Sequence, residues 1–149
     1  MLRPLPNPKD TQNPHLGAAL AAAVAGRFAP ERLAQAWIFP PRRLAAKESG
    51  LAVLVVTAED PEDARRTIWT VRYEAEAGKG GRVARTDALE EQGTVPPDRV
   101  DRIVEGVVRR LEGVGDPPDV RELGGHPAAW EELLRELGAP PPPVDSINR

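Results

Sequence analysis

Residues 51–77 read LAVLVVTAEDPEDARRTIWTVRYEAEA, and this stretch decides the fold. Residues 51–57 form an unbroken aliphatic and β-branched run. Such a run suits a strand covered on both faces, or one whose outer face is partly covered. Glu59, Asp60, Pro61, Glu62 and Asp63 make the loop that follows. Residues 67–75 then alternate. Thr67, Trp69, Val71, Tyr73 and Ala75 share one face, and Ile68, Thr70, Arg72 and Glu74 share the other. The first set is expected to face the core and the second to face outward. A one-residue slip would bury Arg72 and Glu74, so the register is well specified.

Beyond this hairpin, Gly78, Lys79, Gly80 and Gly81 have the composition of a tight turn, with glycine supplying positive φ. Residues 82–86 fit a further strand. Residues 87–93 fit a short helix capped by Asp87 as well as they fit an extension of the sheet. Pro96 and Pro97 open an amphipathic helix over 97–111. Its Val100, Ile103, Val104, Val107, Val108 and Leu111 recur at helical spacing. Asp98 in the first turn and Arg109 and Arg110 in the last suit the helix dipole. Burying those aliphatic side chains is worth roughly 1.5–3 kcal/mol each, so the helix needs a partner surface. The Trp69, Val71 and Tyr73 face is the obvious one. Residues 113–125 read as a loop. A last helix starts at Pro127, carries Trp130, Leu133, Leu134 and Leu137, and ends at Gly138.

On the N-terminal side, residues 36–39 (AWIF) are a strand that Pro40 and Pro41 must end or confine to an edge. Residues 42–46 continue it after a kink, and residues 47–50 have turn composition. Upstream, Asn13 and Pro14 resemble an N-cap and first helical position. Leu16, Leu20, Ala23 and Val24 follow at helical spacing, and Pro30 opens a short turn.

The expected fold is α+β: an antiparallel three- to four-stranded meander flanked by an N-terminal helix and C-terminal helices, with helix 97–111 on one sheet face. Residues 13–138 form one domain. Residues 1–12 are expected to be an extended Pro-rich arm and residues 139–149 a Pro-rich disordered tail. The 149 residues are enough to build a hydrophobic core without staples.

Composition narrows the chemistry. The net charge of -3 comes from 20 basic and 23 acidic residues mixed along the chain. That gives no whole-protein field of the kind that draws in DNA or anionic lipid. There is no cysteine, which rules out disulfide and thiolate chemistry and fits a cytoplasmic setting. No apolar run approaches the ~18 residues of a membrane span. The start, MLRPLPNPKD, lacks the apolar core of a secretory signal. Arginine far outnumbers lysine and there are 17 prolines, a bacterial-like bias that GC-rich coding explains more simply than thermophily.

No catalytic residue, cofactor ligand or metal ligand is assigned. His15 and His126 stand apart from any second histidine, and His126 beside Pro127 reads as a helix cap. Ser49 and Ser146 lack the flanking glycines of a nucleophile elbow. The glycines at 78–81 are not a phosphate loop, because Tyr73 and Gly80 occupy positions that need Gly and Ser or Thr. Glu74, Glu76 and Lys79 do not meet the order of a nuclease cluster.

Two residue sets remain. Trp37, Trp69 and Tyr73 would line a pocket between the sheet and the long helix. Trp130 reads as a core anchor or an interface residue. Arg42, Arg43, Arg65, Arg66, Arg72 and Arg85 form a candidate basic patch, opposed by Glu59, Asp60, Glu62, Asp63, Glu74 and Glu76. The leading functional expectation is a non-catalytic binding or adaptor protein, self-associating as a homodimer or binding another protein. It rests on residues 51–57 being more apolar than a half-exposed strand requires, with a second side left uncovered. The alternatives are a small enzyme or ligand-binding protein using the aromatic pocket, and nucleic-acid binding through the arginines.

Overall fold

The computed structural model describes residues 14–44, 47–76, 83–86, 89–111 and 117–138. Helix α1 (Pro14–Val24) and a single 3-10 turn (Pro30–Arg32) lead into strands β1 (Leu33–Leu44), β2 (Lys47–Thr57) and β3 (Arg66–Glu76). Short strands β4 (Val83–Thr86) and β5 (Glu90–Val95) follow. A second 3-10 turn (Pro97–Arg99) opens helix α2 (Val100–Leu111), and strand β6 (Asp119–Glu122) and helix α3 (Pro127–Glu136) complete the order.

Every strand pairing is antiparallel, and the spatial order is β4-β3-β2-β1-β6. The β5 strand also pairs with β3, opposite residues 66–70, while β4 lies opposite residues 73–75. Six strands therefore fill five positions, with β4 and β5 end to end along one edge. The α+β class and the antiparallel sheet stand as expected, with more strands than the three or four foreseen.

The central position explains the apolar run. Leu51 to Val56 are each at most 2% exposed. Ala52, Leu54 and Val56 face a cluster with Ile38, Val71, Tyr73, Leu16, Leu20 and Trp130, which belong to the neighbouring strands and to α1 and α3. Val53 and Val55 face a second cluster with Trp37, Ile68, Val100 and Val104, which brings in α2. The molecule is thus three layers, with α1 and α3 below the sheet and α2 above it. The second side of residues 51–57, expected to be uncovered, is buried.

The same arrangement corrects the seat of the long helix. It packs on the Ile68 face of β3, not on the Trp69, Val71 and Tyr73 face, which α1 and α3 occupy. Ile68 and Thr70 are consequently buried, while Arg72 and Glu74 further along the same face are partly exposed. Where α1 meets α3, the Gly17 N–H donates to the Leu137 carbonyl at 3.3 Å.

Other local expectations change for identifiable reasons. Residues 47–50 belong to β2 rather than to a turn. Gly50 lies opposite Tyr73, and a Cβ there would sit inside the tyrosine ring's van der Waals envelope, so the glycine makes room for the aromatic ring. Residues 90–93 are in β5 rather than a short helix, with the pairing to β3 shifted at Gly93 (φ 152). Within residues 113–125, expected to be loop, lies β6. Pro40 and Pro41 sit inside β1, where the pairing with β2 shifts and β6 has already ended, so no ladder needs their missing donors. The arm, the tail, Asn13 and the turn at 78–81 lie outside the described residues.

Candidate functional site

The aromatic set does not converge. Trp37 lies under α2, whereas Trp69, Tyr73 and Trp130 belong to the cluster on the opposite side of the sheet. Trp69 is half-buried and meets Phe28 at a centroid distance of 6.0 Å. Tyr73 and Trp130 are core residues.

The arginines divide into two groups. Arg42, Ser49, Glu74 and Arg85 occupy one cross-strand row, and Arg72 occupies the adjacent position on the same face. Arg43 is the register partner of Glu48, one position further along β1. Arg66 opens β3 at its far end, six residues from Arg72 or about 20 Å along a strand, and Arg65 precedes it. Arg65 is spent locally: its guanidinium and backbone N–H both donate to Asp63. Those bonds hold the Asp63 carboxyl down at about 2. Arg66 donates to the Ala64 carbonyl at 2.6 Å.

One feature did not figure among the sequence candidates: the sheet edge at β6. Asp119, Val120, Arg121 and Glu122 pair with Ile38, Trp37, Ala36 and Gln35. In the same register the Leu123 N–H donates to the Ala34 carbonyl at 2.8 Å. Antiparallel ladders alternate, so Asp119, Arg121 and Leu123 turn their backbone groups toward β1. Val120 and Glu122 therefore turn theirs away from it. Among the described residues β1 is the strand that β6 pairs with, and its other edge is open.

The side chains of β6 are set by its neighbours. Arg121 forks onto the Glu136 carboxylate of α3, with Nη1 to Oε2 at 3.2 Å, and its Nε lies 3.3 Å from Asp119. The Glu136 bond first, then Asp119, keeps the Arg121 guanidinium charged. On the opposite face Gln35 donates to Glu122 at 2.5 Å and accepts from the Trp37 indole at 2.9 Å. Val120 lies between them in the strand. At 39% exposure it is the large apolar side chain left open among the described residues.

The turn out of β6 requires glycine. Gly124 and Gly125 both have positive φ, the Gly125 N–H donates to the Leu33 carbonyl at 2.9 Å, and a Cβ there would lie 2.7 Å from the Glu31 carbonyl oxygen. His126 holds the N-cap position of α3, but its side chain makes no capping bond, contrary to expectation.

The far edge of the sheet is built differently. Strand β5 exposes Glu90 and Glu91, and its pairing is bulged at Gly93. Gln92 donates to Thr70 at 3.0 Å and accepts from Arg110 of α2 at 3.0 Å. Adjacent acids and a bulge are devices that discourage further strand pairing.

Among the described residues no three His, Asp or Glu side chains gather as a metal site, and no helix is long and apolar enough to cross a membrane. Comparison with protein-family models, with curated proteins and with solved structures found no match. The sequence marks the ends of β6 rather than the strand itself: Pro117-Pro118 and Gly124-Gly125 bracket it, but within residues 119–122 Val120 is the one apolar residue, too little for an alternating pattern.

Proposed function

We propose that this chain is a binding or adaptor protein that takes an extended polypeptide segment onto its β6 edge. The observation that carries this reading is the pair of outward backbone positions, Val120 and Glu122, beside an exposed valine side chain. Strand addition to an open edge draws affinity from main-chain hydrogen bonds and specificity from alternate side chains. The cytoplasm is the proposed setting, since a chain without cysteine asks nothing of an oxidising compartment.

The test is an NMR titration of the labelled protein with eight-residue peptides of alternating valine and threonine. The expected result is that the Val120 and Glu122 amides shift most, with β2 unmoved. Shifts confined to another surface, or none at all, contradict the reading.

A second reading, nucleic-acid binding, is favoured by the register that sets Arg42 and Arg85 in one cross-strand row, with Arg72 two residues along β3 from that row. It predicts affinity for single- or double-stranded probes that falls steeply with salt. Fluorescence anisotropy at low salt with no binding contradicts it.

A further inference from the structure

We infer that the occupant of the β6 edge is a second copy of this chain, with β6 pairing antiparallel to itself about a two-fold axis at Val120. The inference rests on the edge-binding reading above and adds the partner and the register. Only outward-facing positions can exchange hydrogen bonds, so the two copies must meet through Val120, Glu122 and the residue two before Val120, Pro118. That leaves few registers. Centring the axis on Arg121 sets Arg121 against its own copy, and centring it on Asp119 sets Asp119 against its own copy. Centring it on Glu122 sets Glu122 against its copy. Each of these places like charges directly opposite, which opposes pairing.

Centring on Val120 removes every one of those conflicts. Val120 faces Val120 of the second copy and exchanges both N–H and C=O with it. Glu122 donates its N–H to the Pro118 carbonyl of the second copy, and the proline's missing donor is simply not used. Asp119 of each copy lies opposite Arg121 of the other. These are non-hydrogen-bonded positions, where facing side chains come closest. Alternation keeps Asp119 and Arg121 on the α3 side, where Arg121 already holds Asp119 of its own chain and Glu136. The two valines meet on the opposite side, each beside its own Trp37. Both sheets then run on as one. The contact is short, so the dimer belongs to the weak, transient class. The β5 edge offers no equivalent, because its exposed Glu90 and Glu91 are of one sign.

Sedimentation velocity of the full chain, from low micromolar to near-millimolar concentration, tests this. The expected result is a monomer that converts to a dimer as concentration rises. Asp119→Arg puts arginine opposite arginine and should weaken self-association by about tenfold or more. Val120→Pro removes two outward donors per dimer but no bond to β1, so it should give a monomer with an unchanged circular dichroism spectrum. If Val120→Pro unfolds, Asp119→Arg at an exposed position still decides. A monomer at every concentration, or a dimer that both variants leave intact, overturns the proposal. A chain that stays monomeric yet binds the valine-threonine peptide at β6 overturns self-pairing alone. One that does neither overturns the edge-binding reading as well.

Discussion

Strands β2 and β6 belong to one sheet and meet opposite fates. Over Leu51 to Val56 the first is paired on both edges and buried on both faces; among the described residues the second is paired on one edge, and its valine stands in solvent. In β2 the side chains carry the stability, and the backbone is fully committed. In β6 the side chains are mostly charged, the strand is held by Arg121 and Gln35, and half its backbone groups have no strand partner among the described residues. The difference separates a part that makes the fold from a part that is available to a partner.

The largest effects should come from charging β2. Leu54→Lys and Val55→Lys place an ammonium in two different cores, at positions no more than 2% exposed. An unpaired buried charge costs several kcal/mol against a total stability of ~5–15 kcal/mol, so both variants should be unfolded by circular dichroism. A folded Val55→Lys would mean that α2 does not cover that face. Trp130→Ala removes the aromatic anchor of α3 and should cost ~3–5 kcal/mol in urea denaturation. A smaller loss is expected at Gly50→Ala, where the new methyl collides with the Tyr73 ring and overpacking costs ~1–3 kcal/mol. At β6 the comparison predicts near silence: Val120→Thr should change stability by no more than ~0.5 kcal/mol.

The smallest effect is one of pH. The Asp63 carboxyl titrates at about 2, below its ordinary 3.8, because Arg65 donates to it from side chain and backbone. A depressed carboxylate stabilises the fold above the unfolded value, and that contribution is lost as pH falls through about 2. The pair lies at the surface, with Arg65 exposed and Asp63 partly so, and solvent screens it, so Asp63→Asn should leave the melting temperature nearly unchanged. An Asp63 titration by NMR with its midpoint at the ordinary value would show that the Arg65 contact does not persist.

What was legible in the sequence follows the same division. Residues 51–57 and the stripe of α2 are long, periodic and apolar, and both were readable as elements. The alternation in β3 correctly separated Trp69, Val71 and Tyr73 from Ile68 and Thr70. It did not say which helix covers which set, because alternation fixes which residues share a face and nothing more. Arg72 and Glu74 made the Ile68 face look solvated, yet α2 covers only the part that holds Ile68. The β6 strand was missed because four residues with one valine carry almost no hydrophobic signal. Its strand character comes from pairing with β1, a contact remote in sequence. The aromatic pocket failed for a related reason: Trp37 and Trp69, on strands that both flank β2, lie on opposite faces of the one sheet, which single-strand patterns do not reveal.

The most direct test of the account is amide hydrogen exchange, residue by residue, in a dilute sample of the intact chain. The account predicts slow exchange through Leu51 to Val56 and an alternating pattern in β6, with Arg121 and Leu123 slow and Val120 and Glu122 fast. Uniform protection across β6 at low concentration, or fast exchange in β2, would contradict it.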